Sequence, residues 1–197
     1  MPRTLSESER AYIKTRLKEE TKKCLAQYGI RKTTVDELIR RVGIPKGTFY
    51  LFYESKERLL FEVITEFDQE AQAQMLQEVS ALAAPDADTL TDCILRFYRR
   101  IDDSFLPRLL QGGELEYFMR TIPPELSRQH AERDEQAMRQ IFAAFPGMQA
   151  ERAGIFSAAL RSVFLTMLFK DEIGAEQFEE TLRVLIRGVL IQLVDER

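Results

Sequence analysis

With 197 residues, 45% of them hydrophobic, the chain is long enough for one good-sized core or two small ones and has the composition of an ordinary soluble protein. Its two cysteines, Cys24 and Cys93, lie far apart without metal-type spacing, which excludes a disulfide framework and points to a reducing compartment. No apolar run reaches bilayer-spanning length and the start MPRTLSESER lacks an export signal's apolar segment, so the expectation is a cytoplasmic protein with no membrane contact.

Residues 1–5 carry no pattern. From Ser6, a helix cap with Glu9 three residues on, Ile13, Leu17, Thr21, Cys24 and Tyr28 recur at helical spacing as far as Gly29. The polar face of this helix, with Lys14, Lys18, Lys22, Lys23, Glu19 and Glu20, reads as solvated. Cys24 reads as a small core residue. Thr34 then caps a short helix, its hydroxyl placed to accept from the Glu37 N–H and the Glu37 carboxylate placed to reach back. Val35, Leu38 and Ile39 form the apolar face. Gly43 offers the positive φ that ends a helix sharply, and Pro45 restarts the next, expected over 45–52. The first turn of that second helix shows Lys46, Gly47 and Thr48, which suit a charged, grooved surface better than a core.

Over about two dozen residues this pattern resembles the TetR family of bacterial one-component regulators. The matching residues are Thr34, Leu38, Ile39, Val42, Gly43, Ile44, Lys46, Gly47, Thr48, Tyr50, Ser55, Lys56, Glu57 and Leu59. Two departures stand out. Pro45 replaces the usual Ser and removes a side-chain cap, and Phe52-Tyr53 inverts the commoner Tyr-Phe order, which removes a hydroxyl used for phosphate at position 52. The resemblance implies an all-α protein with a three-helix helix-turn-helix DNA-binding domain, residues 1–54. A long helix joins it to a larger helical effector-binding and dimerisation domain, residues 55–197. It implies a double-stranded DNA operator as partner, with Lys46, Gly47 and Thr48 in the major groove, Tyr50 on phosphate, and Thr33, Thr34 and Lys56 at the DNA backbone.

Charge asymmetry agrees. The chain carries −4 overall, but residues 1–60 hold 14 Lys and Arg against 8 Asp and Glu, a net of +6, while residues 61–197 hold 14 against 24, a net of −10. A basic head on an acidic body is the footprint of a DNA-binding protein.

Ser55 caps the long helix, expected to about Ala83 and ended by Ala84-Pro85. Further helical segments follow near 88–104, 107–120, 123–145, 149–170 and 175–194, separated by Pro107, Pro123-Pro124, Pro146-Gly147 and Gly174. No alternating β-branched segment appears, so the chain is all-α. The last two segments are apolar over most of their circumference, and one subunit can hardly cover both, which predicts a homodimer through Phe156, Leu160, Val163, Leu182, Leu185, Val189 and Leu193. The resemblance implies the same, as a four-helix bundle.

Aromatic and Met residues crowd the middle of the chain. Phe97, Tyr98, Tyr117, Phe118, Met138, Phe142 and Phe164 read either as core or as the lining of a cavity for a small-molecule effector. Arg161, the one charge between Ala153 and Phe169, is a candidate contact for an anionic effector or the partner of an acidic residue. An all-α enzyme finds little support, because His130 has no Glu three residues before it and no nucleophile elbow, phosphate loop or paired-Cys site occurs. No cofactor or metal site is expected, and His130, within LSRQHAERDEQ, reads as exposed. An interaction adaptor with a degenerate helix-turn-helix is the other alternative, opposed by the retained Lys46, Gly47, Thr48 and Tyr50.

Overall fold

The computed structural model describes residues 5–82, 86–144 and 150–194, with the side chains at 142, 150–153, 168, 193 and 194 set aside. Every regular element in them is helical: α1 (Glu7–Lys32), α2 (Val35–Val42), α3 (Lys46–Tyr50), α4 (Lys56–Ser80), α5 (Ala87–Asp102), α6 (Leu106–Leu110), α7 (Glu114–Thr121), α8 (Pro124–Ala143), α9 (Ala150–Leu165), a 3-10 turn (Thr166–Phe169), α10 (Lys170–Ile173) and α11 (Phe178–Val194). Contacts divide the chain into two compact units, Met1–Phe67 with Arg108–Pro124, and Asp68–Pro107 with Glu125–Arg197. Among the described residues no helix is long and apolar enough to cross a membrane.

In the first unit, α1 starts where the sequence placed it. The Ser6 hydroxyl accepts from the Glu9 N–H at 3.2 Å and the Glu9 carboxylate accepts from the Ser6 N–H at 2.8 Å. The expected stop at Gly29 is a kink instead, with φ 76° and ψ −175°, after which one more turn runs to Lys32. Leu17, Leu25 and Ile30 of α1, Leu38 of α2, Phe49 of α3 and Leu59 and Leu60 of α4 are fully buried and make the core. Glu20, expected on a solvated face, is buried to 6% exposure and held by Arg16, Lys23 and Arg41 at 3.2, 2.8 and 3.6 Å. The Lys23 hydrogen bond and the neighbouring cations keep its carboxyl ionised, below the usual range. Burial in turn pushes the Cys24 thiol up, which suits an inert core residue.

In the second unit, α5 packs on α11, and Leu90 and Leu95 of α5 and Ile186 and Leu190 of α11 are all essentially buried. A row of antiparallel ion pairs flanks that seam: Asp88 with Arg187 at 2.5 Å, Asp92 with Arg183 at 2.8 Å, and Arg99 with Glu179. Two sequence expectations are corrected by the backbone. The segment 107–120 is broken into α6 and α7 at Gly112-Gly113, and the segment 149–170 gives way after Leu165 to the 3-10 turn and α10. Helix α4 ends at Ser80, short of the expected Ala83, and residues 83–85 lie outside the described residues.

Candidate nucleic-acid interface

Local chemistry builds the α2–turn–α3 element. The Thr34 hydroxyl accepts from the Glu37 N–H at 3.2 Å, as the cap spacing requires. The Glu37 carboxylate does not reach back to complete a capping box. It accepts from Arg40 at 3.0 and 2.7 Å and from Arg41 at 2.6 Å, which holds its carboxyl at about 2. Gly43, at φ 76° and ψ 36°, turns the chain so that its N–H and that of Ile44 both donate to the Ile39 carbonyl, at 2.8 and 3.1 Å. Pro45 stands just before α3 as its cap residue, with φ −62°, and its carbonyl accepts from the Thr48 N–H at 2.9 Å. The helix is shorter than expected, five residues rather than 45–52.

Phe49 anchors α3. It is fully buried and meets Tyr50 edge-on at 5.3 Å and Tyr53 at 6.0 Å between ring centroids. With Phe49 pointing inward, Lys46, Gly47 and Tyr50 are exposed and Thr48 is half-buried. The Lys46 Nζ lies 2.9 Å from the Asp36 carboxylate, and that hydrogen bond raises its pKa. Thr34 is exposed at the start of α2. The other two candidates are committed inward. Thr33 has no exposed surface and its hydroxyl donates to the Gly29 carbonyl at 2.6 Å, while the Lys56 Nζ donates to the Ile30 carbonyl at 3.1 Å.

The inverted Phe52-Tyr53 pair has a structural counterpart. Tyr53 is buried at 5% exposure, and Phe52 lies under the Arg10 guanidinium, 5.2 Å from the ring centroid. Arg10 thus brings a cation to the position where a hydroxyl is lost. A shallow cleft of about 280 Å³ beside it is lined by Arg10, Ala11, Lys14, Leu51 and Phe52. Sequence reasoning missed Arg10 because α1 reaches Phe52 only in the folded unit.

A second missed residue is Glu114. Its Oε2 accepts from the backbone N–H groups of Ile30 and Arg31 at 2.6 and 3.0 Å, just past the kink in α1. Arg31 in turn donates to the Gly113 carbonyl at 3.2 Å and lies 5.1 Å from the centroid of Tyr117. The kink breaks the helical ladder and frees those two N–H groups, and a carboxylate takes them up.

The effector candidates fall in both units. Tyr117 and Phe118 are on α7 in the first, Phe118 buried. In the second, Tyr98 is buried, its ring 6.5 Å from Phe97 and 5.6 Å from Phe164, and its hydroxyl donates to the Leu160 carbonyl at 2.8 Å. Met138 is half-buried, and the side chain of Phe142 lies outside the described residues. Arg161 is exposed and donates to the Ser157 hydroxyl at 3.2 Å.

Of the dimer candidates, Phe156, Val163 and Leu182 are buried within the chain itself, Leu160 and Val189 are half-buried, Leu185 is exposed, and the side chain of Leu193 lies outside the described residues. Among the described residues, the large apolar side chains left exposed on α9 and α11 are Ile155, Leu165, Val184 and Leu185.

His130 is half-buried rather than exposed. Its Nε2 lies 3.3 Å from the Asp68 carboxylate and 3.8 Å from that of Asp134. Burial, with the Asp134 charge, pushes the Asp68 carboxyl up to about 6.

Residues 18–63 match the family of bacterial regulatory proteins described as the tetR family. Among solved structures, the chain is similar over 95% of its length to 98% of a candidate TetR-family transcriptional regulator from Mesorhizobium loti MAFF303099, with TM-score 0.73 and 16% identity. It is similar to a transcriptional regulator of the TerR/AcrR family from Aquifex aeolicus VF5, with TM-score 0.62 and 21% identity over 90% of this chain and 99% of that one. The fatty acid degradation regulator FadR from Bacillus halodurans gives TM-score 0.65 and 13% identity over 95% and 97%. Compared by sequence with curated proteins, the chain has no match. At these identities the likeness to solved structures is one of fold.

Proposed function

We propose, on the premise that residues 18–63 carry the tetR-family helix-turn-helix domain within a TetR-type helical fold, that the chain is a cytoplasmic transcriptional regulator acting as a repressor. It binds a pseudo-palindromic operator as a homodimer and responds to a small-molecule effector. The observation that carries this reading is α3: an inward Phe49 holds a helix whose exposed side is Lys46, Gly47 and Tyr50. A cation, a residue without a side chain and a phenol allow the backbone to come close to a groove edge while phosphate is held. Thr34, Thr48 and Arg10 add contacts, and Thr33 and Lys56 shape the element from within.

Homodimerisation is supported by α9 and α11. Ile155 and Val184 are 72% and 70% exposed, on helices whose opposite faces are packed into their own unit by Phe156, Val163, Leu182 and Ile186. Large apolar side chains left outward on two such helices call for a second copy. Two recognition helices about 34–36 Å apart then meet successive major grooves.

The effector reading rests on the Phe97, Tyr98 and Phe164 cluster of the second unit, which offers aromatic surface for an apolar molecule. Helix α4 is the element through which such a ligand acts, because it begins in the first unit and continues into the second. Ligand must bind one arrangement better than the other, and operator DNA must then weaken ligand binding by the factor that ligand weakens DNA binding.

Footprinting on the DNA upstream of the protein's own gene tests the proposal. A protected pseudo-palindrome that is lost with Lys46→Ala is expected. Protection nowhere, or protection indifferent to Lys46, overturns it.

A further inference from the structure

A side-chain cluster in the second unit has no part in DNA binding. Asp68 and Gln72 stand one turn apart on α4, and His130 and Asp134 stand one turn apart on α8, facing them. The Asp68, His130 and Asp134 ligand atoms lie within 4.8 Å of one another. The Gln72 amide donates to Asp134 Oδ1 at 2.6 Å, which fixes that carboxylate and leaves its Oδ2 turned toward His130 at 3.8 Å.

We propose that Asp68, His130 and Asp134 form a binding site for a divalent transition-metal ion of the zinc class, joining α4 to α8.

The distances decide whether an ion fits. An ion bound at about 2.1 Å by nitrogen and carboxylate oxygen holds its tetrahedral ligands about 3.4 Å apart. The His130 nitrogen is already 3.3 and 3.8 Å from the two carboxylate oxygens and all three ligand atoms lie within 4.8 Å of one another, so a closure of at most about 1.4 Å brings them to that spacing. Side-chain rotation supplies that. Two carboxylates sharing one partly buried site repel each other, and a divalent cation between them turns the repulsion into attraction. The imidazole favours zinc, cobalt or nickel over magnesium or calcium, which prefer oxygen alone. Gln72 acts as the outer partner that orients a ligating carboxylate, and three protein ligands leave remaining positions for water. The residues come from two helices distant in sequence, so spacing along the chain gives no sign of the site.

The test uses the full chain after chelator treatment, titrated with Co²⁺ followed by its visible absorption and with Zn²⁺ by calorimetry. One equivalent per chain is expected, with at least a tenfold loss of affinity in His130→Gln and in Asp68→Asn, each checked for unchanged helicity by circular dichroism. Gln72→Ala, which removes only the outer partner, is expected to weaken binding by about tenfold. Stoichiometric binding that survives His130→Gln in a folded protein places the metal elsewhere and overturns the proposal. So does a wild-type protein that takes up no Co²⁺ or Zn²⁺, or one that binds Mg²⁺ as tightly.

Discussion

Lys46 holds Asp36 at 2.9 Å in the free protein, and both side chains are largely exposed. In the proposed complex, DNA binding exchanges that carboxylate for a phosphate. Asp36→Asn therefore frees the ammonium and removes a negative charge near the duplex, and operator affinity is expected to rise roughly two- to fivefold, the scale of an exposed ion pair. Fluorescence anisotropy on a labelled operator checks this; weaker binding would mean that Asp36 positions Lys46 rather than masking it. Glu37 gives a prediction in pH. Its folded carboxyl is held at about 2 by Arg40 and Arg41 against an ordinary value of 4.5, so below about pH 4.5 the unfolded chain takes up a proton that the folded one refuses. The stabilisation is complete above that pH and lost as pH falls toward 2. Denaturant midpoints between pH 6 and pH 3 should fall less steeply in Glu37→Gln than in wild type, by an amount that exposure to solvent keeps small.

At the scale of elements, the kink in α1 is the joint on which the first unit depends. Gly29, at φ 76° and ψ −175°, occupies backbone space that a side chain rarely tolerates, and an added Cβ would come within 3.0 Å of the Glu114 carboxylate. Gly29→Ala should cost about 1–3 kcal/mol. Glu114→Ala leaves the Ile30 and Arg31 N–H groups without their acceptor and should cost about 2–3 kcal/mol. Chemical denaturation measures both, and a loss below about 0.5 kcal/mol for Glu114→Ala would mean that water replaces it without penalty. The same elements show what a sequence conveys. The Ser6 and Thr34 caps and the Gly43 stop rest on contacts a few residues long, so spacing alone exposes them. The clamp of Glu114 on α1, Arg10 over Phe52 and His130 between two carboxylates join residues far apart in sequence, and no local pattern marks them. The Gly112-Gly113 break lies inside a segment whose spacing reads as helical on both sides. Burial of Thr33 was hidden for a related reason, since a hydroxyl beside a helix start reads equally as a surface contact or as a bond to its own backbone.

For the whole molecule, the proposed dimer rests on the outward apolar residues of α9 and α11. Val184 is 70% exposed in the single chain, so Val184→Glu leaves the subunit core intact but would bury an unpaired charge between two copies. Sedimentation should show a dimer for wild type and a folded monomer for the variant, with specific DNA binding lost although no α3 residue has changed. A wild-type monomer at micromolar concentration would contradict the assembly. The basic first 60 residues and acidic remainder belong to the same scale, since a net positive segment would attract the proposed duplex while the negative remainder would be repelled by it.

The most direct measurement is equilibrium affinity for the protein's own upstream DNA and for a scrambled duplex of equal length, each across a salt series, with Lys46→Ala alongside. The account predicts at least a thousandfold preference for the upstream sequence and a steep fall in affinity with salt. In Lys46→Ala it predicts weaker binding with a shallower slope, by about one counterion per lost phosphate contact. Equal affinity for the two duplexes, or a slope unchanged by Lys46→Ala, would contradict it.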